Sequence, residues 1–191
     1  MRCMLLALTL ALAGSMTSAD ENLVSIEVNG ESDRLIVIQL NPDVAPGHVE
    51  RIRTLVQDGQ YDGVVFHRVI DGFMAQTGDV KFGTRGNPAI QYAGMGGSDY
   101  ENLEAEFSDL PFMRGTVGMA RAQDPDSANS QFFIMFDDGP FLNGQYTVLG
   151  EVISGLDVLD SIKRGDQARN GMVSDPDYMS RVWLGRAEAV N

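Results

Sequence analysis

The stretch FHRVIDGFMAQ, residues 66–76, decides how the rest of the chain is read. It spans parts of two β-like runs, 64–69 and 73–77, and sets one guanidinium, Arg68, among large apolar side chains. Taken singly these residues are ordinary. An arginine in a strand is usually a surface charge, and Phe73 and Met74 are usually core. The meaning of the stretch therefore rests on what surrounds it.

Further β-like runs cover residues 23–28, 34–40, 116–120, 131–136, 147–153 and 179–184, bounded by Gly, Asn, Asp and Pro clusters. Many short strands with turn residues between them point to a sandwich or a barrel. In 34–40, Leu35, Val37 and Gln39 alternate with Ile36, Ile38 and Leu40, so both faces are nearly apolar and burial on both sides is expected. Two segments read as helices. Val49, Ile52 and Val56 recur at spacings of three and four, with Pro46 near the start and Gly59 beyond the end. Ser154 and Asp157 form a capping-box pattern before Val158 and Ile162, with Lys163, Arg164 and Gly165 as stop signals.

Residues 1–19 stand apart: Arg2 supplies a positive start, 4–13 is apolar, and 14–19 is small and polar. This is a secretory signal layout, with cleavage expected after Ala19 and a mature domain over 20–191. The apolar run is too short to span a bilayer, so no stable membrane insertion is expected after its removal. Cys3, the only cysteine, precedes the apolar run, so it cannot be a lipidated cysteine following a signal, and the mature chain can form no disulfide. Removing 1–19 takes away Arg2 and no acid, which moves the formal charge from -13 to -14. Such a charge repels phosphate backbones and argues against nucleic acid as a partner, so none is expected.

Around the opening stretch lie Tyr61-Asp62-Gly63, then Gly118-Met119-Ala120-Arg121-Ala122, Ser130-Gln131-Phe132-Phe133-Ile134, Phe141-Leu142-Asn143-Gly144 and Val148-Leu149-Gly150. In order and spacing these segments resemble the cyclophilin family through essentially the whole of 20–191. The resemblance implies an all-β fold, an eight-stranded antiparallel closed barrel capped by two α-helices, with the active groove on its outer face. It also implies a peptidyl-prolyl cis-trans isomerase acting on proline-containing peptides and on unfolded or folding exported proteins. No cofactor or metal is called for, a monomer is expected, and the signal suits a bacterial periplasm.

Carried over position by position, the resemblance makes Arg68 the catalytic arginine, with Gln76 beside it. Phe73, Met74, Phe132 and Leu142 match the pocket for the proline ring, and Gln131 is a polar groove residue. Ala120, Arg121 and Ala122 match the stretch along which substrate backbone lies. His67, Phe133, Phe141 and Tyr146 fall at other groove positions. These types suit the reaction, because rotation about an X-Pro bond needs no nucleophile or metal, only a donor for the prolyl nitrogen as its lone pair localises.

Four departures from the family pattern stand out. Phe141 replaces the tryptophan of cyclosporin-sensitive members, which removes an indole N–H and implies weak cyclosporin binding. Arg121 stands where asparagine is frequent, Tyr146 where histidine is, and Thr77 where glycine is. The stretch 81–100 matches less clearly. Trp183 falls in the last strand, away from the proposed groove.

Rival readings are weaker. Asp124, Asp126 and Asn129 lack the glycine and glutamate of a calcium loop, and Gly97-Ser98 lacks the closing glycine of a nucleophile elbow. His48 and His67 are too few for a histidine metal cluster. The alternative class is a proline-peptide-binding module whose isomerase activity is incidental, but pure binding would not need Arg68.

Overall fold

Eight strands form one antiparallel sheet in the computed structural model, which describes residues 20–29, 31 and 33–186. The expected signal segment, 1–19, lies outside the described residues. The strands are β1 (Leu23–Val28), β2 (Leu35–Leu40), β3 (Arg68–Ile70), β4 (Met74–Thr77), β5 (Thr116–Met119), β6 (Phe132–Met135), β7 (Val148–Ser154) and β8 (Met179–Leu184). Their order across the sheet is β3-β4-β6-β5-β7-β2-β1-β8. Two helices, α1 (Pro46–Gln57) and α2 (Leu156–Ser161), complete the regular structure together with short 3-10 turns.

The sheet curls around one apolar interior. Ile26, Ile36, Ile38, Val117, Phe132, Ile134 and Leu149 point into it, and α1 lays Val49, Ile52, Leu55 and Val56 against them. β2 is buried on both faces as expected, with the neighbours Val37 and Ile38 both shielded from solvent. α1 takes Pro at its first turn, and its N-terminal N–H groups at Gly47 and His48 are capped from afar by the Glu106 carboxylate at 3.0 Å each.

Two expectations are corrected. The edge strands β3 and β8 share no ladder, so the sheet is curled rather than closed. The segment leading into β3 meets the β8 edge through isolated links: Val65 bridges Tyr178, the Gly63 N–H donates to the Met179 carbonyl at 2.6 Å, the Phe66 N–H donates to the Asp177 carbonyl at 2.9 Å, and the Met179 N–H donates to the Val64 carbonyl at 2.8 Å. The cause is local, because Val64 and Val65, at the start of the expected strand, bridge Thr84 and Tyr178 in turn instead of extending the β3 ladder. The second correction concerns α2. Ser154 is still in β7, opposite Val37, and the N-cap is Gly155 at φ 88° with no side-chain cap. A Cβ on Gly155 would meet the Leu35 carbonyl, so close packing against β2 adds to the left-handed conformation in demanding glycine there.

Candidate active site

The register of three ladders builds the site. Arg68 on β3 lies opposite Gln76 on β4, Gln76 lies opposite Phe133 on β6, and Phe133 lies opposite Gly118 on β5. Directly opposed residues share one face of a sheet, so this row stands on a single surface. Met74 and Met135 form a parallel row two residues along. A second apolar cluster, of Met74, Phe112, Phe133, Met135, Leu142 and Val148, covers this outer face and is separate from the interior.

Its open part is a cleft of about 370 Å³ between β3, β4 and the turn Pro140–Leu142. Met74, Phe133 and Leu142 form its buried floor, and Phe73 is half-buried at its side. Phe141, 62% exposed, leans over Phe73 with ring centres 5.4 Å apart. Tyr146 meets Phe133 edge to face at 5.8 Å. Gly118 makes room for this wall: a Cβ there would lie 2.5 Å from the Phe133 ring and 2.6 Å from Phe112, which stack on each other.

Arg68 enters the same cleft. Its Nη1 donates to Gln76 Oε1 at 3.1 Å and more weakly to Met74 Sδ at 3.9 Å, while Nε and Nη2 donate to the carbonyl and Oδ1 of Asn170, both at 3.1 Å. A guanidinium has five N–H groups, and these contacts occupy four, leaving one on Nη2. The polar chain continues: Gln76 Nε2 donates to Gln131 Oε1 at 2.9 Å, and Gln131 Nε2 donates to the Gly96 and Gly94 carbonyls at 2.8 and 3.1 Å. Burial lowers the pKa of Arg68 and Tyr146 opposes that shift; the group remains a cation at any working pH.

Beyond Gln76 and Ala120 the surface opens into a second cleft of about 500 Å³. Ala122, Gln131, Asn129 and Ser98 line it, and Arg121 borders both clefts. One wall is the loop 93–97, held by a fully buried carboxylate. Asp79 Oδ1 accepts from the Lys81 and Phe82 N–H groups, and Oδ2 accepts from Gly94 and Gly96, all within 2.7 to 3.1 Å. Neither Asp79 nor Asn170 stands out in the sequence. Asn170, at φ 54°, closes a turn 102 residues beyond Arg68, where the Asn170-Gly171 pair signals a turn and nothing signals the contact.

The expected groove residues come together with two exceptions. Phe132 faces the interior, packing edge to face on Tyr61 at 5.6 Å, and Phe133 supplies the pocket wall instead. Strand alternation sends these neighbours to opposite faces. His67 does not line either cleft; it is 8% exposed and lies beneath Gly94. Burial holds its pKa down at about 4, with the Asp79 carboxylate pulling the other way. Two departures are absorbed locally. Thr77 is buried and its hydroxyl donates to the Val65 carbonyl at 2.9 Å, while Tyr146 carries the Arg121 guanidinium on its ring at 4.4 Å. Trp183 sits on β8 opposite Ser25, outside both clefts. Asp124 caps its own turn by accepting from the Asp126 N–H at 3.0 Å.

Comparison with known proteins agrees with this geometry. Residues 23–183 match the family model described as cyclophilin type peptidyl-prolyl cis-trans isomerase/CLD. A probable peptidyl-prolyl cis-trans isomerase of Brucella suis is 57% identical over 181 residues, 93% of this chain and 90% of that protein. Peptidyl-prolyl cis-trans isomerase B of Escherichia coli is 38% identical over 149 residues, 73% of this chain and 85% of the relative. Among solved structures, cyclophilin AquaCyp293 from Hirschia baltica superposes with a TM-score of 0.70 at 28% identity, covering 86% of this chain and 74% of the other. A Cryptosporidium parvum cyclophilin, crystallised in the presence of the dipeptide Ala-Pro, gives 0.72 at 25% identity, covering 86% and 99%. With the matched region reaching every strand of the sheet, the chain belongs to the cyclophilin family and is a peptidyl-prolyl cis-trans isomerase.

Proposed function

We propose that the outer cleft seats the proline ring of a peptide on Met74, Phe133 and Leu142, beside Phe73, and that Arg68 is the electrostatic catalyst of X-Pro rotation. The observation that carries this reading is an arginine fixed by Asn170 and Gln76 at the rim of an apolar cleft, with one N–H to spare. As the amide twists, resonance is lost and the prolyl nitrogen gains a lone pair. A donor aimed at that nitrogen binds the twisted state better than the planar one. Such a charged hydrogen bond contributes roughly 1.5 to 3 kcal/mol, which is about one to two orders of magnitude in rate. The rest comes from holding the ring still while Gln76 and the main chain at Ala120–Ala122 orient the flanking peptide. The structure of the Cryptosporidium relative in the presence of Ala-Pro supports a proline-containing ligand for this groove.

The substrates on this reading are exported chains that arrive unfolded and wait on slow proline isomerisation. The signal layout of 1–19 supports an enzyme released near Asp20 into a bacterial periplasm. On this reading it acts there as a monomer, and X-Pro rotation needs no cofactor. Residues 20–191, given a proline-limited peptide, are expected to accelerate cis-trans exchange. An exchange rate equal to the uncatalysed one would overturn the reading, and retention of the full-length chain uncleaved in the cytoplasm would overturn its location.

A further inference from the structure

The chain carries 27 acidic residues against 14 basic ones, yet among the described residues no Asp or Glu lines either cleft of the groove. Among the described residues, the charged side chains there are Arg68 and Arg121. Among the described residues neither is ion-paired, whereas Arg53, Arg114 and Arg164 all hold carboxylates. The groove is thus a cationic strip on a strongly anionic protein.

Arg121 is the more telling of the two. Its guanidinium is held by four hydrogen bonds to neutral carbonyls: Nε and Nη2 donate to Gln145 at 3.3 and 3.0 Å, and Nη1 donates to Ala122 and Gln123 at 2.9 and 3.3 Å. It also lies over the ring of Tyr146, which abuts the pocket wall at Phe133. The side chain is therefore oriented in advance without being neutralised, and one of its five N–H groups remains open. The acids next to it in sequence form no ion pair with it among the described residues. Asp124 accepts from the Asp126 N–H, and Asp126 accepts from the Ala105 N–H at 2.8 Å. Arg121 stands between the two clefts, so a peptide with its proline in one and its flanking residue in the other crosses this cation.

Resting on the proline-pocket reading above, we infer that Arg121 is a specificity-determining residue that selects peptides carrying a carboxylate side chain within two residues of the proline. The open N–H and the unpaired charge attract Asp or Glu, and the same charge repels Lys or Arg at that position. Exposed charge pairs are modest and screened by salt, so the discrimination is of the order of tenfold at low ionic strength and shrinks as salt rises.

The test is kcat/KM for peptides of one length bearing Glu, Gln or Lys at each position within two residues of the proline, with the Glu-to-Lys ratio taken within each enzyme. On one flank the wild-type ratio is expected near tenfold at low salt and well below that at high salt. Arg121→Gln should bring the ratio to about one, and Arg121→Lys, which keeps the charge, should retain most of it. A wild-type ratio of one or less, or the same ratio in Arg121→Gln as in wild type, would overturn the inference while leaving the isomerase reading intact. Failure of the wild-type enzyme to isomerise any peptide in the series would overturn both.

Discussion

Gln76 Oε1 accepts a hydrogen bond from Arg68 Nη1 at 3.1 Å across the β3–β4 ladder, so the cation and the amide opposite it behave as one unit. Gln131 fixes the amide in turn, and its own Nε2 is anchored on the loop that Asp79 holds. The orientation of Arg68 is thus set from two sides, by this relay and by Asn170.

Coupling across the relay is measurable. Gln76→Ala should lower kcat by about tenfold with a smaller change in KM, since it frees the guanidinium without removing the pocket. In the double variant with Arg68→Ala the two losses should not add, because both remove the same oriented donor. Additive losses in steady-state kinetics would place Gln76 in an independent role.

Gly118→Ala should impair the pocket from below. The new Cβ would press on Phe133 and Phe112, and overpacking of this kind costs about 1 to 3 kcal/mol. Peptide KM is expected to rise and the melting temperature to fall together. A change in neither would show that the aromatic pair can shift at no cost.

Buried His67 gives the fold an acid-sensitive element. Its folded pKa, about 4, lies below the value of about 6.5 for an exposed histidine. Between those values the unfolded chain holds a proton that the folded chain does not, so stability falls as pH is lowered from about 6.5 towards 4. A tenfold difference in proton affinity corresponds to about 1.4 kcal/mol, so the loss across this window is on the order of a few kcal/mol. Urea titrations of wild type and His67→Gln across this range should show a shallower pH dependence in the variant. Identical slopes would remove His67 from the acid response.

Phe141 should limit cyclosporin affinity. It is exposed at the rim and offers no N–H, whereas a tryptophan there would add a donor. Phe141→Trp is expected to tighten cyclosporin binding by about tenfold, which corresponds to one hydrogen bond of about 1.4 kcal/mol. Trp183 lies outside the clefts, so its fluorescence in the wild type should stay unchanged as the drug or a peptide binds. Calorimetry showing equal affinities would remove residue 141 from drug recognition.

Much of this architecture is legible in the chain because each strand carries its own local signal. β2 reads as buried on both sides since both of its faces are apolar, and α1 reads from Val49, Ile52 and Val56. Parity fails in β6. Its sequence Phe132-Phe133-Ile134-Met135 is buried throughout, so no alternation marks which phenylalanine faces the interior. The capping pattern at Ser154 fails for a related reason: the β7 ladder claims that residue, and Gly155 takes the turn. Asn170 and Asp79 are hidden because their partners are set by tertiary contact, one across 102 residues of chain and the other within a loop that has no periodicity.

The most direct test compares Arg68→Ala with wild type by line-shape NMR exchange on a single proline peptide, reading the catalysed exchange rate and the peptide Kd in the same titration. The predicted result is a catalysed rate lower by at least about tenfold with Kd changed by no more than about threefold, because the apolar cleft remains while the donor is gone. An unchanged exchange rate in Arg68→Ala would show that this guanidinium takes no part in the rotation.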